Sequence, residues 1–509
     1  MPGHQYVMRE ADRELTDQNG TSTPGLTTAG PMTAWTPSGE EELHAAGYEQ
    51  SLRRSLSVPD VVALSVSDIT PMASLLVIAP AVLAIAGTGG LLAYIIGCVI
   101  AVCVASCMAE LGSMHPVAGG LYSIVGRVLG RPFGFVGLVD YIGQAVFLPA
   151  AIALGIGAYL SSLIPGINVN LAAALMMVAV TAIGCFGISF NARLIFVFLG
   201  IEMTVLTIIA IAGLIDLHQP LSILTHPRIS GHGGLLASVG AGTVIAGVAT
   251  TLFSFNGYDS AINFSEETQG SARNVGIALM WAAGIAMVAE LVPFFLAVFG
   301  APNLSRFLAS ATPLTDVIQT NLNGTVKDIV IAGALVAIFN AVLAITLQFG
   351  RILFASGRDR AWPTPISNAL SRVNDRGAPW VSTLIVGTLA TVLCFFSGLV
   401  TVVTFTSVLI IVLYALIAAA AIVSRLSARQ RKLPRPFQMA LWPAAPVIAL
   451  AGVGVALSQQ KASDLFITGA IVLGALLYYT LYLRPRAKTH WNTFSDPETE
   501  LARLAERDV

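Results

Sequence analysis

The sequence predicts an all-α integral membrane protein of twelve transmembrane helices, two of them interrupted. Three observations lead there. Of 509 residues, 55% are apolar and 11% charged, with a mean hydropathy of +0.78. An average soluble domain carries about 25% charged residues, and a water-soluble chain could not hide so much apolar surface. The apolar residues come in runs suited to helices of roughly 20 residues, not in the alternating strands of about 10 that build an outer-membrane barrel. Finally, the first and sixth runs are broken by polar and helix-terminating residues.

Taken in order, residues 1–58 are rich in Ser, Thr, Gly and Pro, carry Glu40-Glu41-Glu42 and lack an apolar h-region. They read as a disordered cytoplasmic tail rather than a signal peptide. Apolar runs then place spans at 59–86, 89–112, 133–163, 169–187, 193–216 and 243–266, and again at 276–300, 328–357, 380–397, 399–424, 440–458 and 465–484. Residues 485–509 are polar and form a C-terminal tail. With the N-terminus inside, only Arg228, Arg306, Lys327 and Lys461 among the basic residues fall outside. The rest gather on the cytoplasmic side, around Arg351–Arg376 and Arg425–Arg435, which fixes the orientation with both termini cytoplasmic in the cell membrane.

Several function classes are excluded or disfavoured. The only lysines are Lys327, Lys432, Lys461 and Lys488; none follows a glycine, so no phosphate-binding loop exists and the chain is not itself an ATP-driven pump. Cys98, Cys103, Cys107, Cys185 and Cys394 lie inside apolar runs, none at zinc spacing with a histidine, and read as packing residues. No cofactor, metal, enzymatic activity or nucleic-acid partner is expected, and the oligomeric state is not legible.

The first break is Ser67-Asp68-Ile69-Thr70-Pro71-Met72-Ala73-Ser74, the second Ser254-Phe255-Asn256-Gly257-Tyr258-Asp259-Ser260. Two ordinary kinks would produce such segments. A carboxylate at each break and their corresponding positions favour an inverted-repeat secondary transporter with its site at the breaks. The repeats are 59–216 and 243–424 within a transport core of 59–424, followed by spans 11 and 12 at 440–484. Pro71 disfavours helical geometry at Thr70 and suits the first position of a new helix. The N–H groups of Met72, Ala73 and Ser74 would then face the bilayer centre as an anion site. Carbonyls freed before Thr70 and before Gly257 suit an ammonium group, and the two together suit an α-amino acid zwitterion.

Asp68, Asp140, Glu202, Asp259 and Glu290 fall within predicted spans, where ionisable residues are functional candidates. Asp140 sits near the end of span 3 and is expected to reach water; Glu290 fits either reading. Glu202 stands about ten residues into span 5 with no basic residue after Arg193 on that span. A carboxyl held from water can exchange a proton near neutral pH, which gives a coupling role; the other role is a protonated carboxyl bonding to a neighbouring helix. Gln144 and Asn340, polar groups in apolar runs, are read as bridges between helices.

These residues resemble those of the amino acid–polyamine–organocation (APC) transporters across nearly all of 59–484. Ala109-Glu110-Leu111-Gly112-Ser113-Met114-His115-Pro116 with Gly119-Gly120-Leu121-Tyr122 is similar to that family's A-E-L-G-S-x-x-P-x-x-G-G-x-Y. Phe255-Asn256-Gly257-Tyr258-Asp259-Ser260-Ala261, continuing to Glu266-Glu267, resembles F-x-G-[FY]-[DE]-x-x…E-E. Arg351-Ile352-Leu353-Phe354-Ala355-Ser356-Gly357-Arg358-Asp359 resembles R-x-L-F-A-x-x-R-D. The resemblance implies the LeuT-like five-plus-five inverted repeat and alternating access. It also implies that Pro71, Met72 and Ala73 stand at the family's carboxylate-binding G-S-G, and that Ile69, Phe253 and Asn256 offer carbonyls to the amine. By the same resemblance Phe253 is a gating aromatic, Asp259 a proton-sensing carboxylate, and Glu202 falls where many relatives carry a lysine in place of sodium. Thr-Pro-Met-Ala in place of glycines implies a pocket that is smaller or shaped for another ligand.

The expected substrate-binding set is therefore Ile69, Thr70, Pro71, Met72, Ala73, Ser74, Phe253, Phe255, Asn256, Gly257 and Tyr258, with Glu202, Asp259 and Asp68 for ion coupling. The expected function is proton-coupled import of an amino acid or related amine. An amino acid or polyamine exchanger, with Asp68 as the second acidic contact, and a non-transporting membrane sensor are the alternatives. A sensor is favoured only by the 58-residue tail.

Overall fold

In the computed structural model, residues 54–494 are described apart from 118, 187, 232–234, 271, 492 and 493. The expected N-terminal tail up to residue 53, and the C-terminal stretch from 495 on, lie outside the described residues. Mean hydropathy this high leaves helix as the way to satisfy each backbone group within its own segment, and the described chain is helical almost throughout. The principal helices are α1 (Val58–Ile69), α2 (Ala79–Ala86), α3 (Gly90–Met114), α4 (Gly120–Val128), α5 (Arg131–Leu163), α6 (Val169–Gly184) and α7 (Ile188–Ile215). They continue as α8 (Ala241–Ser254), α9 (Arg273–Phe299), α10 (Gly324–Arg358), α11 (Trp380–Phe396), α12 (Leu399–Leu426), α13 (Ala444–Ser458) and α14 (Ala462–Tyr478). A two-stranded antiparallel hairpin, Arg228–Ser230 with Leu236–Ser238, lies between α7 and α8.

The expectation of twelve membrane-spanning helices is corrected. Among the described residues seven helical stretches are long and apolar enough to cross a membrane: Val58–Met114, Arg131–Ile156, Leu194–Ile215, Arg273–Phe299, Gly324–Arg358, Thr401–Leu426 and Ala462–Arg486. The five-plus-five division that rested on twelve falls with that count. One reason is continuity: the runs read as spans 1 and 2 join through the Gly87–Gly89 turn in one helical stretch. The other is length. α6, α8, α11 and α13 have 16, 14, 17 and 15 residues. At 1.5 Å per residue that is short of the roughly 30 Å hydrocarbon thickness. The protein is an all-α, multi-pass membrane protein.

Leu171, Leu175, Val178, Phe196, Val197 and Trp281 are among many large apolar residues left exposed, as a lipid-facing surface requires. Inside, α5 packs against α10 and α12, and α9 against α7 and α3. α1 is buried among α7, α9 and α10. It is started by a reciprocal cap: Asp60 N–H donates to Ser57 Oγ, and Ser57 N–H to Asp60 Oδ2.

Candidate functional site

α1 ends where Pro71 forbids its continuation. Thr70 N–H makes the last bond, to Val66 O at 3.0 Å, and Thr70 itself turns into the left-handed region at φ 60°. For a β-branched residue this is a strained conformation costing roughly 1–3 kcal/mol. A helix restarts at Pro71, passes through one π-turn over Ser74–Ile78, and runs into α2. At the restart Met72 N–H donates to Glu202 Oε1 at 2.8 Å. Ser74 N–H bonds Thr70 O at 2.8 Å, and Ser74 Oγ lies 3.1 Å from Ile69 O and 2.8 Å from Ser254 O.

α8 ends at Ser254, and the chain turns through Phe255–Asp259 before the short helix Ser260–Asn263. Asn256 N–H donates to Phe253 O at 3.0 Å and Tyr414 OH donates to Asn256 Oδ1 at 3.0 Å. Gly257 has φ 125°, and a Cβ there would stand 2.6 Å from the Asp68 carbonyl carbon and from Ile69 N. Asp259 Oδ2 accepts from Tyr141 OH and from Gln348 Nε2, the latter at 2.9 Å. Ser254 Oγ donates to Glu290 Oε2 at 2.6 Å and lies 3.0 Å from Tyr94 OH.

Asp68, Ile69, Thr70, Ser74, Phe253 and Asn256 line one small cavity of about 10 Å³, room for a single water. Asp68 is 3% exposed and its Oδ1 has no hydrogen-bond partner; it is the single ionisable group of that lining. Pro71, Met72 and Ala73 are buried at the restart. The Met72 N–H, expected to be open, is held by Glu202. Phe255 instead packs edge-on against Tyr94, with centroids 5.6 Å apart, and Tyr258 donates to Ala101 O and stacks near Tyr414. Asp140, expected to reach water, is buried, its Oδ2 accepting from Gln144 of its own helix. Asn340 joins α10 to α1 through Ser67 at 3.1 Å. Sequence reasoning passed over Tyr141, Gln348, Tyr414 and Tyr94. The available signal was a polar-tipped side chain within an apolar helix, which needs a partner when buried.

The two ends of the bundle differ. At the Arg425 end of α12, buried Glu110 accepts from Arg425, from Arg435 at 2.6 Å and from Met439 N–H at 2.9 Å. Arg351 meets Glu267 at 3.0 Å, Arg358 grips Glu266 through two bonds, and Tyr122 OH donates to Asp359 at 2.9 Å. Trp491 is buried here, stacked near Tyr122 and donating to Arg131 O at 3.1 Å. His115 lies just beyond α3; burial, then the charges of Arg127 and Arg435, push its imidazole down to about 3. At the Leu399 end of α12 a cavity of about 350 Å³ opens instead, lined by Leu76, Val77, Pro80, Tyr159, Thr250, Val403 and Lys461 among others. It abuts the break, since Leu76 follows Ser74 by two residues.

Among the described residues no group of three or more His, Cys, Asp or Glu side chains is placed to hold a metal ion. The family model described as amino acid permease matches residues 56–482. The chain is 28% identical to an uncharacterized transporter of Mycobacterium tuberculosis over 80% of its own length and 90% of that protein. It is 23% identical to a branched-chain amino acid permease of Bacillus subtilis, covering 81% and 89% of the two. It is also 23% identical to a methylthioribose transporter of the same organism, covering 87% and 96%.

Proposed function

Because this chain belongs to the amino acid permease family, a membrane transporter in type, we propose that it imports an amino acid or related amine by alternating access, coupled to protons. The relatives' named substrates include a branched-chain amino acid and a thio-sugar, so membership leaves the substrate to be argued from the site. The observation that carries the reading is the bond from Met72 N–H to Glu202. It joins a carboxyl on α7 to the strained break in the first helical stretch, where Gly257 brings the second break into backbone contact. A carboxylate accepts from that N–H strongly. A protonated carboxyl accepts less well, so proton uptake loosens the joint that movement of the break must break.

The Arg425 end, rich in Arg and Lys, faces the cytoplasm on this reading, since basic residues near span ends stay inside. The large cavity at the Leu399 end then faces outward, and the ion pairs with Trp491 close the inner side. Ile69, Thr70, Ser74, Phe253 and Asn256 line the substrate chamber. Pro71, Met72, Ala73, Phe255, Gly257 and Tyr258 shape it, and Asp68 and Asp259 are its further acidic groups.

The test is counterflow in proteoliposomes loaded with unlabelled amino acids and amines, first without and then with a pH gradient. Wild-type uptake should rise with an inwardly directed proton gradient. Glu202→Gln should keep counterflow and lose that response. An undiminished response in Glu202→Gln overturns the coupling role.

A further inference from the structure

α12 ends at Leu426, where a stretch long and apolar enough to cross a membrane gives out, so the residues just beyond it stand at headgroup depth. That segment carries Arg425, Arg429, Arg431, Lys432 and Arg435, and the sequence has no acidic residue between Asp375 and Asp464. Among the described residues the carboxylate that meets it is Glu110 of α3. Arg425 and Arg435 share this carboxylate, Met439 N–H donates to it at 2.9 Å, and Arg435 also donates to Ser424 O at 2.7 Å. Both ends of the segment thus close on Glu110 as a clasp that keeps a large excess of positive charge.

The middle of the clasp has an inner and an outer side. Gln430 is buried and its Nε2 donates to Arg127 O at 3.0 Å; Leu433 is buried as well. Arg429, Arg431 and Lys432 are exposed, and none of these three side chains has a hydrogen-bond or ion-pair partner among the described residues. At the two feet of the segment Leu426 and Leu441 are 69% and 57% exposed, and the Arg425 guanidinium lies 5.0 Å from the Trp442 ring. Without a counter-charge the outer cations repel Arg425 and Arg435 and oppose their shared grip on Glu110. Exposed leucines beside unpartnered cations suit an amphiphile with an anionic head and acyl chains.

We propose that Arg429, Arg431 and Lys432 bind the phosphate of an anionic phospholipid, and that the bound lipid tightens the closure of Arg425, Arg435 and Met439 on Glu110. A lipid phosphodiester brings the negative charge that the segment lacks and accepts paired hydrogen bonds from a guanidinium. Its acyl chains lie against Leu426 and Leu441. Basic side chains at this depth add affinity for anionic headgroups one by one, about fivefold each. The lipid acts on α3 and α12 from outside the bundle, whatever solute the protein carries.

The experiment is native mass spectrometry of the full chain in neutral detergent, titrated with phosphatidylglycerol or phosphatidylcholine, together with hydrogen exchange in the peptide that holds Met439. Phosphatidylglycerol should bind about 100-fold more tightly than phosphatidylcholine, the scale for three cations, and should slow exchange at Met439. Arg429→Gln, Arg431→Gln and Lys432→Gln combined should lose both effects. A control with Arg360→Gln, Arg372→Gln and Arg484→Gln, three other exposed cations, should keep both. An undiminished preference in the first variant overturns the site, and equal loss in the control does so by assigning the binding to net charge. Inorganic phosphate that slows Met439 exchange as well as phosphatidylglycerol does overturns the lipid in favour of a free anion. Lipid binding with no change at Met439 overturns the tightening of the clasp. Both variants should melt like the wild type without lipid, since the replaced side chains are exposed. If one melts lower, its single substitutions take its place, each of the first three expected to weaken binding about fivefold.

Discussion

Gly257 and Asp68 meet backbone to backbone: a Cβ on the glycine would lie 2.6 Å from the Asp68 carbonyl carbon. The two helix breaks are therefore pressed together at a point no side chain can enter, with φ 125° at Gly257 as a second reason for glycine.

Gly257→Ala should cost transport and stability together. The left-handed backbone alone accounts for roughly 1–3 kcal/mol, and relief of the overlap requires the breaks to separate. Gly284→Ala, where a Cβ meets nothing within 4 Å, should be neutral or stabilising by up to about 1 kcal/mol. Melting temperature and counterflow of the two variants, measured side by side, check this.

Glu110→Gln should destabilise by about 3–5 kcal/mol, because Arg425 and Arg435 would lose a buried charged partner. Glu110→Met with Arg425→Met should be less damaging than the sum of the single changes, since removing both partners leaves fewer unpaired charges. A double-mutant cycle on detergent-solubilised protein gives the coupling.

Trp491→Ala should cost about 3–5 kcal/mol, the usual range for a buried large aromatic. The ring lies 5.8 Å from that of Tyr122 and 5.5 Å from that of Phe135. Its indole N–H also donates to Arg131 O. An unchanged melting temperature would sink the assignment of Trp491 to the packed interior.

Acidification should weaken the fold through His115. Its folded value, about 3, lies below the ordinary 6.5, so the unfolded chain takes up a proton that the folded one refuses. The stability present above about pH 6.5 should fall by about 1.4 kcal/mol per pH unit on going toward pH 3. His115→Asn should flatten that slope in melts recorded between pH 7.5 and 5; an unaltered slope assigns it to other groups.

What was readable in the chain was local. Pro71 marked the helix end at Thr70 because a proline constrains its predecessor whatever surrounds it. The Met72–Glu202 pair was not readable: its members are 130 positions apart, and an apolar run shows that a carboxyl is buried but not which N–H faces it. The span count failed for a related reason. The stretch at 243–266 was counted as one span despite its break, whereas the long helix stops at Ser254 with 14 residues and only the short helix Ser260–Asn263 follows the turn. Trp491 was hidden by its polar neighbours, and packing against Tyr122 and Phe135, from far along the chain, gives it an interior place.

The walls of the larger cavity hold a further consequence. Leu76, Val77, Pro80, Ala81 and Val403 offer water few partners, and the polar side chains of the same lining are those of Tyr159, Thr250, Thr404 and Lys461. Along the apolar part of that wall, water shed by an incoming solute is not replaced by protein partners. The stripping of its hydration shell is then part of the barrier it must cross.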